Sequence, residues 1–168
     1  IDNIDNAKDL GISMFYYGEN GTGKTLLSVA ILKEAIRQGY TVQMTSLGGI
    51  IELYTGGWSS DEKKRKFNQR IKNVDFLMID DIGKEYNPRS NDLVKVGFDN
   101  LIRYRTFRRK PFILTTNKSK GDINNDYGKS LFSLLQGKCL FVEANGGDYR
   151  KLIQAKEIIK IPQITPVP

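Results

Sequence analysis

Histidine is absent from the 168 residues, and cysteine occurs once, as Cys139 within the apolar string KCLFVE. A lone cysteine excludes an internal disulfide framework, and the lack of histidine removes most zinc sites and every imidazole-based acid–base scheme. Any chemistry must therefore draw on carboxylates, lysine, arginine, asparagine and a bound ion. No apolar run reaches the roughly 18 to 20 residues that span a bilayer, and no charged-then-apolar leader opens the sequence, so a cytoplasmic protein without membrane contact is expected. Proline is scarce too: three of the 5 fall in the last seven residues, where an extended tail over 161–168 is expected instead of a helix. The first residue is Ile1, not Met, which points to an excised domain or the ordered part of a longer protein. No internal repeat is present.

What remains is the composition of an ordinary folded domain. Hydrophobic residues make up 39%, charged residues 27% and aromatics 10%, which sets aside collagen-like, low-complexity and disordered classes. The length suits one domain, taken as 1–160. Lys and Arg number 26 against 19 Asp and Glu, a net charge of +7 that favours polyanionic partners such as nucleic acid or nucleotide phosphates.

Short β-rich apolar runs alternate with longer helical patterns, the signature of a mainly parallel α/β sheet. Strands are expected at Ile12 to Gly18, Thr41 to Ser46, Asp75 to Asp80, Pro111 to Thr116 and Cys139 to Ala144. Helices are expected at Lys24 to Gln38, ending at Gly39, then near Gly49 to Tyr54, Asp61 to Lys72, Asn91 to Thr106, Lys129 to Gln136 and Tyr149 to Lys160.

The string Gly18-Glu19-Asn20-Gly21-Thr22-Gly23-Lys24-Thr25 fits GxxxxGK(S/T) between an expected strand and an expected helix. Glycines let backbone N–H groups close around phosphate oxygens at a helix N-terminus. Lys24 adds a mobile positive charge, Thr25 offers a hydroxyl to Mg²⁺, and Leu26 follows in the first helical turn. A chance match in a chain of this length is on the order of one in a hundred, so nucleotide binding is the expected function of this segment. The run FLMIDD ends the third strand in two acids. Asp80 can hold the Mg²⁺ shell and Asp81 can orient a water, or both can be solvated acids at a strand end. The fourth strand ends in Thr115-Thr116-Asn117, whose amide can reach a γ-phosphate or water, or simply form a turn.

Taken in order, GENGTGKT, FLMIDDIG, PFILTTN and GGDYRK resemble the AAA+ ATPase domain of DnaC/DnaI-type replicative helicase loaders and their transposition-helper relative IstB, over Phe15 to Lys151. The resemblance implies a five-stranded parallel sheet in the order 5-1-4-3-2, with ATP and Mg²⁺ as ligands. It further implies Lys24 on phosphate, Thr25 and Asp80 on Mg²⁺, Asp81 as catalytic base, Asn117 as sensor 1 and Arg150 as sensor 2. It also implies a replicative helicase and single-stranded DNA as partners and self-assembly into a nucleotide-dependent spiral. The family's N-terminal helicase-binding region has no counterpart in this chain. Where the family pattern YGxRxxSRL carries a finger arginine, this chain has Leu134, with Ser130 at the earlier arginine. Hydrolysis is therefore expected to be slow or to need a partner's arginine. The small size and lost finger lean towards a phage or mobile-element loader. An IstB-like transposition helper, a non-hydrolysing ATP switch and, less favoured, a small-molecule P-loop kinase stand as alternatives.

Two basic stretches are left. Lys63 to Lys66, with Arg70 and Lys72, read as a solvated helix face. Arg103-Tyr104-Arg105-Thr106-Phe107-Arg108-Arg109-Lys110 combines five cations with two aromatics. It can track a DNA backbone, serve subunit contacts or satisfy a helix C-terminus. Tyr54 and Trp58, in the Gly-rich stretch after the second strand, are further candidates for base stacking.

Overall fold

The computed structural model describes residues 3–56, 60–83 and 92–150. Five strands form one sheet: β1 (Ser13–Tyr17), β2 (Val42–Ser46), β3 (Phe76–Asp80), β4 (Phe112–Thr116) and β5 (Cys139–Glu143). All neighbouring pairs are parallel, in the order β2-β3-β4-β1-β5, which is the expected order 5-1-4-3-2 read from the other edge.

Helices α1 (Ile4–Leu10), α2 (Lys24–Arg37), α3 (Leu47–Gly56), α4 (Asp61–Phe67), α5 (Asp92–Phe107), α6 (Lys120–Tyr127) and α7 (Lys129–Lys138) cover the sheet. Alternation along the strands divides the core between the two faces, because successive side chains of a strand point to opposite sides. Leu77 and Ile79 of β3 join Phe15, Leu114, Phe98, Leu101 and Leu135 on one face. Phe76 and Met78 join Tyr16, Ile113 and, from α2, Leu32 and Ala35 on the other. Burial on both sides is why the central strands β3 and β4 begin as continuous apolar runs, whereas the edge strands β2 and β5 are only partly buried. Each fully buried Phe or Leu contributes roughly 1.5–3 kcal/mol to holding the layers together.

Three elements depart from the sequence reading. α1 and α6 were not expected. α1 is mostly polar and buries only Ile4, so it lacks a periodic apolar stripe. α6 is set by a capping box: the Ser119 hydroxyl accepts from the Asp122 amide while the Asp122 carboxylate accepts from the Ser119 amide. The single helix expected over 61–72 divides into α4 and a π-helical turn over Asn68–Lys72, closed by Asn73 N–H donating to the Asn68 carbonyl at 2.9 Å. The helix expected from Tyr149 begins there; its remainder, the 161–168 tail and Trp58 lie outside the described residues.

Candidate nucleotide site and basic surface

β1 delivers the chain to Gly18, and α2 starts six residues later at Lys24. The Gly23 N-cap, at φ 86°, offers no side-chain acceptor to the first turn of α2, the end of a helix at which backbone amides favour an anion. Lys24 is 92% buried, since its exposure is 8%, and its Nζ donates to the carbonyls of Gly18 at 2.8 Å and Glu19 at 2.6 Å. The Thr22 hydroxyl donates to Glu19 O at 2.9 Å. Gly18 and Glu19 thus shape the loop from behind, while Asn20 to Leu26 line its cleft.

The C-terminal ends of β3 and β4 supply the opposite wall. One oxygen of Asp80, Oδ1, accepts from the Thr25 hydroxyl at 3.0 Å and from the Thr115 hydroxyl at 2.6 Å. The Thr115 hydroxyl in turn accepts from the Asp81 amide at 2.8 Å. Asp81 is held in the left-handed conformation, φ 59°, where a non-glycine residue is uncommon. Its Oδ1 accepts from Asn117 Nδ2 at 2.6 Å. Two adjacent acids therefore have separate partners: Asp80 faces the phosphate loop and Asp81 faces Asn117. Thr115, 1% exposed, links the two and was not singled out by itself in the sequence. Its place in a polar strand end beside an acidic one was the available signal.

The third wall follows β5. Tyr149 N–H donates to the Gly21 carbonyl at 3.0 Å, and the Arg150 amide donates to Asp148 Oδ1 at 3.0 Å. A Cβ on Gly21, whose φ is 79°, would stand 1.9 Å from Asp148 Oδ1, so glycine is required where the two segments meet. Arg150 is exposed and lines the cleft with Tyr149, Asp80, Asp81 and Asn117. The enclosed volume is about 330 Å³. The structure thus brings Lys24, Thr25, Asp80, Asp81, Asn117 and Arg150 to one place across more than a hundred residues of sequence.

The basic stretch on α5 is divided by the fold. Arg105 does not belong to a DNA surface. It is fully buried, and its guanidinium donates to the carbonyls of Ile71, Lys72, Val74, Asp75 and Pro111 at 2.7 to 3.2 Å. The sequence carried the warning: Phe98, Leu101, Ile102 and Arg105 follow i, i+3, i+4, i+7 spacing along the inward stripe of α5. Burial pushes the Arg105 pKa down to about 9, which leaves it charged at neutral pH. Arg103 pairs with Asp99 at 2.9 Å and donates to Ser130 at 2.9 Å. Arg108 and Arg109 are exposed and Lys110 is half-buried.

Tyr54 is also corrected as a free stacking surface: it is half-buried, packed against the main core, with its ring edge-on to Phe67 at 5.6 Å. Leu134, at the expected finger position, is a partly buried residue packed on the same core. Lys63 to Lys66 form an exposed face of α4, and Lys66 pairs with Glu62 at 2.6 Å.

A family model described as "IstB-like ATP binding protein" matches residues 2–156. The replicative helicase loader DnaC of Escherichia coli strain K12 is 25% identical over 147 residues, which cover 86% of this chain and 59% of that protein. DnaC of Buchnera aphidicola is 26% identical over 149 residues. The chain therefore spans about three-fifths of the length of the curated relatives it matches. A crystal structure of the DnaC helicase loader superposes with a TM-score of 0.73 at 24% identity, covering 84% of each chain. The replication initiator DnaA, bound to AMPPCP and single-stranded DNA, superposes with a TM-score of 0.72 at 23% identity, covering 94% of this chain and 48% of that one.

Proposed function

The chain belongs to the IstB-like ATP-binding family, and on that premise we propose that it is an ATP-hydrolysing helicase loader that places a replicative helicase on single-stranded DNA during replication. The observation that carries this reading is the separation of the paired acids: Asp80 is tied to Thr25 and Asp81 to Asn117, giving one acid a metal-side role and the other a water-side role. Similarity to the relatives named helicase loader DnaC, matched across 86% of this chain, supports the cellular role.

The donor set fits Mg²⁺, a hard ion that takes one or two protein oxygens and completes its shell with phosphate and water. Thr25 and Asp80 would hold it, and among the described residues no cluster of three or more His, Cys, Asp or Glu competes for a metal. Bound there, it would supply positive charge to the phosphates of the nucleotide. Lys24, released from its loop carbonyls, reaches the same phosphates, and the open amides of the α2 N-terminus cradle them. Asp81 accepts the proton of the attacking water while Asn117 fixes the direction of its carboxylate. Arg150, beside Gly21 at the root of the C-terminal segment, neutralises phosphate charge and couples that segment to the bound nucleotide.

Turnover by the isolated chain is slow, because Leu134 packs into the core where the family pattern has an arginine. Such arginines contribute roughly 10³ to 10⁵ in rate, so full speed needs one from a partner. The same observation favours one second reading, an ATP-dependent switch that binds without hydrolysing.

A loading assay tests the function: a replicative helicase from the same source is mixed with circular single-stranded DNA, ATP and this chain. Helicase should transfer to the circles with wild type and not with Lys24→Ala. Equal transfer with and without the chain would overturn the loader role.

A further inference from the structure

β3 and β4 run parallel, so the cleft at their C-terminal ends is separated by the length of a strand, roughly 16 Å for five residues, from the segments that feed them. At that remote end α5 stops and turns into β4. Phe107 is 84% exposed there, more than any other large hydrophobic residue among those described. The Lys72 ammonium lies 5.1 Å from the Tyr104 ring centroid and the Arg108 guanidinium 6.0 Å. Arg109 occupies the left-handed conformation, φ 50°, at a helix end where glycine or asparagine sits most easily. Beneath them the Arg105 guanidinium pins the carbonyls of Ile71 to Asp75 and of Pro111, so this corner is both rigid and positive.

The fold accounts for only part of this. A helix C-terminus favours cations, which explains Arg108 and Lys110, and Lys110 donates to the Asn73 carbonyl at 2.6 Å. The nearby carboxylate, Asp75, is bonded to Thr41 and lies 3.8 Å from Lys8. Among the described residues neither Arg108 nor Arg109 has an ion-pair partner. No helix-end argument calls for a bare phenyl ring beside them, or for arginine in a strained turn.

We propose that this corner is a contact for single-stranded nucleic acid, independent of the nucleotide in the cleft, with Arg108 and Arg109 on backbone phosphates and Phe107 stacked on a base. An acidic peptide would use the cations alone; an exposed ring next in sequence to two exposed arginines matches the aromatic-plus-cation surfaces that hold unpaired bases. The proposal rests on the single-strand-binding loader reading and adds a grip that persists whichever nucleotide fills the cleft.

The test is a fluorescence-anisotropy titration of a labelled oligonucleotide with the full chain, in ATP·Mg²⁺ and in ADP·Mg²⁺, across a salt series. The triple variant Phe107→Ala/Arg108→Gln/Arg109→Gly keeps the turn, since glycine is at ease in it. Its affinity should fall at least about tenfold in both nucleotide states, and its salt slope by about 1.4, or about 0.7 for each phosphate that is no longer neutralised. ATP affinity and the ratio of DNA affinities between ATP and ADP should not move. Phe107→Ala alone removes an exposed ring that supports no packing, and should by itself weaken binding several-fold. Wild-type affinity in both variants would overturn the proposal and leave the loader reading standing. So would loss of helicase capture with DNA binding intact, which would mark the corner as a protein surface. Absence of single-strand binding by wild type in either state would overturn both.

Discussion

The Thr115 hydroxyl donates to Asp80 and accepts from the Asp81 amide, so removing it takes one of two hydroxyl donors from Asp80 Oδ1 and the acceptor from a partly buried N–H. Thr115→Val, nearly isosteric, should cost roughly 1–3 kcal/mol of stability and slow ATP turnover by about 10² while ATP affinity stays within a few-fold. Steady-state kinetics with a denaturant melt would separate the two effects; unchanged turnover would remove Thr115 from the site. Arg105 makes the opposite case, a charged residue whose work is structural. Arg105→Met leaves several buried carbonyls without donors and should destabilise by about 3 kcal/mol or more, seen as a drop in Tm of roughly 6–12 °C. Burial pushes the Cys139 thiol up to about 12, so it stays protonated at neutral pH. Alkylation by iodoacetamide should therefore track global unfolding, and rapid labelling of the native protein would contradict this packing. Lys24 could be placed at the cleft from the spacing of its motif, and Asp80 and Asn117 from polar residues at strand ends read together with the family resemblance. Arg105 was not, because its neighbours in sequence, Tyr104 and Arg108, do face outwards and only the helical period separates it from them.

At the scale of elements, the phosphate loop and the segment following β5 act on each other through backbone. Gly21 and Gly23 both have positive φ, but a Cβ at Gly23 meets nothing within 4 Å, whereas one at Gly21 meets Asp148. Gly23→Ala should cost only its backbone strain, about 1–2 kcal/mol. Gly21→Ala should weaken ATP binding by more than tenfold beyond that, and Asp148→Ala should recover part of the loss. Calorimetric titration with ATP checks the order; equal effects at the two glycines would mean that the clash is not transmitted. Ser119→Ala should cost α6 about 1 kcal/mol, a Tm shift of roughly 2–4 °C. β3 and β4 were readable because both of their faces are buried and they open on apolar residues. α6 escaped because its buried residues, Ile123, Asp126 and Tyr127, mix polar with apolar, and only its Ser-x-x-Asp start marked it. The break between α4 and the π turn escaped because it depends on carbonyls gathered by Arg105, a residue over thirty positions away.

Over the whole molecule, the candidate nucleotide cleft and the proposed nucleic-acid corner lie at opposite ends of one parallel sheet. The cleft at the strand C-termini is built from pieces of β1, β3, β4 and the segment after β5, so nucleotide there ties together parts of the chain that the sheet alone leaves separate. The positive corner at the strand N-termini sits on rigid backbone and does not share those pieces. On the proposed reading, this division would leave the DNA contact at the corner independent of the nucleotide in the cleft. The whole-chain charge of +7 raised the expectation of a polyanionic partner, but the placement of its cations required the fold.

The central claim is that the cleft is a working, under-powered ATPase whose acid–amide pair, Asp81 and Asn117, drives hydrolysis. Steady-state ATP turnover of the purified chain, wild type beside Asp81→Asn, tests it most directly. The account predicts measurable wild-type turnover below about 1 s⁻¹, reduced by about 10² or more in the variant. Indistinguishable background rates in both proteins would contradict it and make the domain a switch, and wild-type turnover well above 1 s⁻¹ would contradict the missing arginine.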